Sequence, residues 1–298
     1  MEHSKKRSIN ASKDLIVNAG VAVQNLDSWE EFIPLMTDDH HHCSGIVYRG
    51  QCDASWKLES KLDRLEKRFP TSPNYFTGSP EFFNCPPADR ERHLEAFKEC
   101  VRGKRGPNPS ELSDNEWWAL AQHHRLSTPL LDWAVSPFVA LFFAFEEPGF
   151  VDIQEKSFAE PSHRAVYAAS YLTADKGAGA APPPFIFSPR REITFRLSSQ
   201  TGVLMRMPHH SDLESIVRAN FPNDCTTKTS GARAILTKIV MPNKGRKECL
   251  KLLNQMNVNR LTLFADLDAA AEYVDSLWEL DFPTALGVFP DGRDAHSS

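Results

Sequence analysis

The sequence predicts one large domain that mixes helices and strands, in an α/β or α+β arrangement, and three observations carry that reading. A chain of 298 residues that is 41% hydrophobic and 24% charged can bury a sizeable core. Short β-prone runs at 45–51, 164–172 and 234–241 stand among segments of helical periodicity. Sharp helix-start signals, the capping box Ser113-Asp-Asn-Glu116 and the pair Ser136-Pro137, divide the middle of the chain. No internal repeat is visible.

Composition narrows the function classes. No apolar run approaches the ~20 residues of a membrane-spanning helix, and the opening MEHSKKRSINASKD lacks an apolar secretory segment, so a soluble, cytoplasmic protein with no membrane partner is expected. Six cysteines, at 43, 52, 85, 100, 225 and 249, form no CxxC pair and are too sparse for a disulfide scaffold. Reduced thiols are expected. A formal net charge of -5 disfavours a surface that wraps duplex nucleic acid, although Arg102, Lys104 and Arg105 could touch phosphates locally.

Residues 1–14 read as a polar, disordered tail, and Leu15 to Leu35 as the source of a short helix around WEEFIPL. The run Asp38-Asp-His-His-His-Cys43 looks like a metal cluster, but adjacent side chains point apart, so a solvated loop is expected and no metal. Gly45 to Gln51 is a β-prone run around Arg49, whose planar fork suits a phosphate, a carboxylate or a structural Asp. Trp56 to Phe69 is amphipathic and mostly helical, 70–87 is a Pro/Ser/Gly loop, and Leu94, Phe97 and Val101 recur at helical spacing. The capping box then starts a helix over 114–124, and Ser136-Pro137 starts a buried helix through Phe145.

Arg164 to Leu172 reads as a central strand. Phe185 leads into a strand, turn and strand around Gly202, and Ala234 to Met241 forms a late strand. A helix around Cys249 to Met256 follows, and Asp266 caps another whose Leu267, Ala270, Ala271, Val274, Leu277 and Trp278 form an apolar stripe expected to pack in the core. Residues 283–298 read as a second disordered tail.

The stretch Trp117 to Phe145 is unlike a mere core segment. Gln122, His123, His124, Ser127, Thr128 and Asp132 lie between two apolar blocks, and buried polar groups need partners, so this stretch reads as the wall of a site. The alternatives are local: histidines suit a helix C-terminus, and Asp132 could cap or turn the chain before Ser136.

Four segments, VYRGQCDASWKL, NEWWALAQHHRLSTPLLDWAVSPFVALFFAF, RLSSQTGVLM and ILTKIVMPNKGRKECLKLLNQMNVNRLTLFADLDAAAEYV, resemble in order the FRG domain, over a core of 45–275 within 15–282. Arg125 stands where that family usually has a small, glycine-type residue. FRG domains in turn resemble distant ADP-ribosyltransferases, which implies an α+β fold, a single large domain with a split mixed/antiparallel β core packed by helices. The resemblance implies that Tyr48-Arg49-Gly50, with Gln51, holds NAD as the substrate. It places Leu126-Ser127-Thr128-Pro129 by the nicotinamide ribose, and Ala140, Phe143-Ala144 and 165–168 on the following helix and strand. Where those enzymes carry Gln-x-Glu, this chain reads Gln200-Thr-Gly202, without the glutamate.

Such chemistry needs a cation for the pyrophosphate, a stabiliser for positive charge on the ribose, and a base for the acceptor. The expected catalytic set is Arg49, Asp132 in place of the glutamate, Gln200 and His123. The expected NAD contacts are Tyr48, Arg49, Gly50, Gln51, Gln122, His124, Ser127 and Thr128. The function this implies is ADP-ribosyl transfer to RNA, another nucleic acid or a protein, by a bacterial toxin or anti-phage effector that needs an antitoxin partner. An inert nucleotide-binding sensor and a metal-independent ribonuclease using His123 and His124 are the alternatives.

Overall fold

The computed structural model describes residues 16–37, 45–69, 90–152, 157–170, 185–189, 202–221, 235–264 and 266–280. The expected tails, the His40–Cys43 run, the 70–87 loop and Gln200 lie outside the described residues. In chain order the elements begin with β1 (Ile16–Asn18), β2 (Val21–Asn25), α1 (Phe32–Thr37), β3 (Ile46–Gln51), α2 (Lys61–Arg68) and α3 (Arg90–Cys100). Next come α4 (Asp114–His123), β4 (Leu130–Ala134), α5 (Pro137–Phe145), β5 (Phe150–Asp152), β6 (Ser157–Ala159) and β7 (His163–Ser170). The chain continues through β8 (Phe185–Phe187), β9 (Gly202–Arg206), α6 (Leu213–Asn220) and β10 (Leu236–Pro242). It ends with α7 (Arg246–Gln255), α8 (Arg260–Leu263) and α9 (Leu267–Glu279).

Eight strands form one mixed sheet in the order β1-β2-β10-β7-β3-β4-β9-β8, and β5-β6 pair separately. Only β2-β10 is parallel among the described pairings of that sheet. The arrangement is α+β, as expected. Six residue pairs join β3 to β7 and five join β4 to β9, whereas β3 and β4 meet at the single pair Tyr48–Ala134. The sheet therefore splays between its two halves at that point.

Alternation along the strands sorts the core. Tyr48, Ala134, Val166 and Ile239 pack under α1, α5 and α7, while Val47, Trp133, Tyr167 and Met205 pack with Leu213, Ile216 and Val217 of α6. A third cluster sets α2, α3 and α4 on Leu130 and Leu204 through Leu62, Leu94 and Trp118. Helix α5 is buried along most of its length and lies so close to β3 that a Cβ on Gly50 would stand 2.0 Å from the Ala140 carbonyl oxygen. Fully buried Arg164 secures the far end of α5, donating to the carbonyls of Ala144 at 2.5 Å and Pro148 at 3.1 Å. Both predicted caps form: Ser113 and Glu116 close a capping box, and Ser136 caps α5 with Pro137 at its first turn.

Three expectations change. The helix around WEEFIPL is present as a 3-10 turn, Trp29–Glu31, running into α1, but a hairpin precedes it. Ala19 and Gly20 both have positive φ, the geometry of a two-residue turn that matches strand twist. Between Trp56 and Phe69 the helix starts only after Ser60, whose hydroxyl caps it. The stripe on α9 does not pack in the core: Leu267 and Trp278 are each 87% exposed, and the helix buries Ala269 and Tyr273 instead. Helix α9 packs on α8, and amphipathic Tyr273 reaches α7, its hydroxyl donating to Asn254.

Candidate functional site

A cleft of about 350 Å³ opens where β3 and β4 splay, between α4 and α5. Strand β3 supplies Tyr48, Arg49 and Gly50, and β4 supplies Asp132, Trp133 and Ala134. Helix α4 adds Ala119, Gln122 and His123, α5 adds Ala140 and Phe143, and Leu204 and Phe264 complete the lining. Six expected site residues thus meet: Tyr48, Arg49, Gly50, Gln122, His123 and Asp132.

Arg49 Nη1 donates to the backbone carbonyl of Asp132 at 2.7 Å, bridging the gap that the missing ladder leaves. Its Nε is buried without a hydrogen-bond partner. A buried donor of this kind is costly unless something accepts from it, so the guanidinium is poised for an anion. Burial lowers the pKa of Arg49 from the ordinary arginine range, and the nearby Asp132 carboxylate opposes that shift.

Asp132 keeps solvent contact through the mouth of the cleft, while protein crowds it on its other sides. Crowding raises its carboxyl above the usual range, against the pull of Arg49 and of a hydrogen bond from Gln122. Gln122 Nε2 donates to Asp132 Oδ1 at 2.6 Å, and Gln122 Oε1 accepts from the Thr128 hydroxyl. The Thr128 oxygen itself accepts from the Leu130 amide at 3.3 Å. A polar chain therefore runs from the start of β4 to the carboxylate and fixes which face Gln122 presents.

This chain changes the role expected of Thr128. The residue is 1% exposed and its hydroxyl is committed to Gln122, so it positions the site from behind and does not line it. Gln51 likewise points away, its amide donating to the Trp56 carbonyl at 2.8 Å, and the Ser127 carbonyl contacts His93 Nε2 at 3.1 Å. The two histidines divide: His123 lines the cleft, whereas His124 lines a separate groove with Lys104 and Arg105. Their rings meet edge to face at 5.1 Å.

Gly202 begins β9 and pairs with Ala134, which pairs with Tyr48, so the position without a glutamate lies in the cross-strand row at the edge of the cleft. Phe264, after α8, was not foreseen. It packs edge-on against Phe143 at 5.9 Å, a partnership between distant segments that no local pattern announces.

Arg125 sits at the end of α4 with φ 68°. The Arg125 amide donates to Gln122 and the Leu126 amide to Ala121, the two bonds of a Schellman turn, which requires a left-handed residue there. A glycine-type residue would meet that requirement without a side chain in the left-handed region. The Arg125 side chain points to Asp268 at 3.5 Å in an exposed contact, outside the cleft.

Fold and cleft together describe a mixed-sheet α+β domain with a cleft at a break in the sheet, lined by an arginine, a carboxylate and aromatic side chains. The family model of the FRG domain matches residues 44–151, the stretch from β3 to β5 that carries most of the cleft. The strands β7, β9 and β10 that complete the sheet lie beyond that match. No curated protein and no solved structure matches the chain. Among the described residues, no helix is long and apolar enough to cross a membrane.

Proposed function

We propose that this chain is an NAD-dependent ADP-ribosyltransferase that modifies a macromolecule, RNA or another nucleic acid ahead of protein. In the cell it would act as a toxin or anti-phage effector restrained by an antitoxin partner. The observation that carries the reading is the pairing, in one aromatic-walled cleft, of a buried guanidinium with an unsatisfied Nε and a carboxylate held by Gln122. A phosphate answers the first, and a ribose that becomes positive answers the second.

In this reading Arg49 grips a phosphate of NAD, and Tyr48, Phe143 and Phe264 wall the nicotinamide. Asp132, aligned by Gln122 and indirectly by Thr128, faces the ribose C1′. As the bond from C1′ to the nicotinamide nitrogen breaks, its electron pair leaves with nicotinamide, and Asp132 stabilises the positive charge that develops. The acceptor nucleophile then bonds to C1′, and His123 takes the proton it loses. A cleft of about 350 Å³ is at the lower end of small-molecule sites, which suits the nicotinamide end of NAD with the remainder outside.

Binding without transfer is the second reading, and Gly202 at the glutamate position favours it. The ribonuclease reading needs two imidazoles at one bond, and only His123 of the pair lines the cleft.

Purified protein with labelled NAD tests the proposal. Label should pass to RNA or protein; Asp132→Asn should lower transfer by about 10²-fold or more with NAD affinity nearly kept, and Arg49→Ala should lose both. Transfer that survives both substitutions refutes the site. Saturable NAD binding without transfer selects the second reading, and RNA cleavage without NAD selects the ribonuclease.

A further inference from the structure

Away from the cleft, four potential metal-ligating side chains converge where α2 meets the segment after β9. One ligand atom each from Asp63, Glu66, His209 and His210 lies within 4.8 Å of the others. Asp63 and Glu66 sit one turn apart on α2, while His209 and His210 follow β9 just before α6.

Adjacent histidines normally point to opposite sides of an extended chain, which makes them poor partners for one ion. Here His210 adopts φ 53°, a left-handed conformation uncommon for a non-glycine residue. The result brings the rings together: the imidazoles stack at 3.8 Å with planes 20° apart. His209 Nε2 lies 3.1 Å and His210 Nδ1 3.7 Å from the same oxygen, Glu66 Oε2.

The 3.1 Å contact is a histidine–glutamate hydrogen bond, and the two separations bracket the spacing a small ion needs. Ligand atoms about 2.0–2.1 Å from a tetrahedral zinc stand roughly 3.3 Å from one another. Stacked rings hold their in-plane lone pairs on nearly parallel courses, so one exposed imidazole must turn out of the stack for both to reach the ion. Asp63 is the exception in the group. It is fully buried, and its carboxylate already accepts from Arg90 at 2.5 Å, from the Ser60 hydroxyl at 2.7 Å and from the His210 amide at 3.1 Å. It thereby holds the His210 backbone in its left-handed turn and serves as the positioning residue.

We propose that Glu66, His209 and His210 form a binding site for one divalent transition metal of the zinc type, with water completing the coordination. The site clamps α2 to the exit of β9. Two imidazoles and one carboxylate make a borderline donor set that favours zinc over magnesium or calcium, which prefer all-oxygen shells. The proposal does not rest on the function assigned to the cleft.

The test uses the full chain after chelator treatment, titrated with Zn2+ by calorimetry and with Co2+ by visible absorption. The residues carrying the site are at the surface, so single substitutions leave the core intact. Wild type should bind Zn2+ and unfold at a higher temperature with it. His209→Ala, His210→Ala and Glu66→Gln should each weaken one equivalent by at least about tenfold and remove the corresponding Co2+ bands. Stoichiometry reports this site separately from any binding by His40 to Cys43. An absence of binding at about 100 µM Zn2+, or a site that any of the three substitutions leaves unchanged, overturns the assignment and leaves a histidine–glutamate surface contact.

Discussion

Gly50→Ala is the most severe small change the structure allows near the cleft. The added Cβ would lie 2.0 Å from the Ala140 carbonyl oxygen, 2.5 Å from the Ala144 nitrogen and 2.9 Å from the Phe143 carbonyl carbon. All three are backbone atoms of α5, so no side chain can swing aside, and the helix must retreat from β3 by more than an ångström to restore ordinary contact. Overpacking in a core costs about 1–3 kcal/mol, and a clash between two backbones belongs at the upper end. The same retreat carries Ala140 and Phe143 away from the cleft. A misplacement of about 1 Å at a reaction site costs on the order of 10²-fold in rate. Urea denaturation followed by tryptophan fluorescence should show a loss of about 3 kcal/mol, and the proposed NAD transfer should fall by about two orders of magnitude in the fraction that remains folded. A variant within about 0.5 kcal/mol of wild type would show that α5 does not seat on β3 through this glycine.

Two further predictions concern stability. Arg125→Gly should raise stability by about 0.5–1 kcal/mol, because it relieves a left-handed residue and gives up only an exposed contact to Asp268. Arg125→Val should lower it, and equal urea midpoints for the two variants would contradict the assignment of the turn. Glu146 is pushed up from 4.5 to about 7, because burial outweighs its pairing with Arg260 at 2.5 Å. A raised carboxyl binds its proton more tightly in the folded chain, so its contribution to stability is greatest below pH 4.5 and is lost as pH rises through about 7. Glu146→Gln should therefore be more favourable at pH 8 than at pH 5, by up to about 3 kcal/mol relative to wild type. A difference between the two proteins that does not change with pH would count against that burial.

Much of the site was legible because its signals are local. The capping box and the Ser-Pro pair set the starts of α4 and α5, and polar residues between apolar blocks mark a wall of the cleft. What the sequence could not give is direction. Thr128, Gln51 and His124 belong to the right segments, but a hydroxyl buried behind Gln122, an amide turned to Trp56 and a ring in the neighbouring groove depend on packing from elsewhere. The stripe on α9 failed for a related reason: an apolar period shows that a helix has two faces, and only its docking partner decides which of them is buried. The Ala19-Gly20 hairpin was hidden because its turn lacks the Asn-Gly or Asp-Gly pair that announces such a loop.

The splay between β3 and β4 also changes how this molecule should be interrogated. Past Tyr48 and Ala134 the two strands stop reading each other, so their facing main-chain groups are not consumed by a ladder with one another. Main-chain groups along this seam, such as the Asp132 carbonyl that Arg49 reaches, belong to no side chain. Alanine scanning is blind to them, since every residue type carries the same amide. Backbone-directed probes, such as amide exchange or ester substitution along 48–51 and 131–134, are the measurements able to reveal what this seam contributes to the cleft.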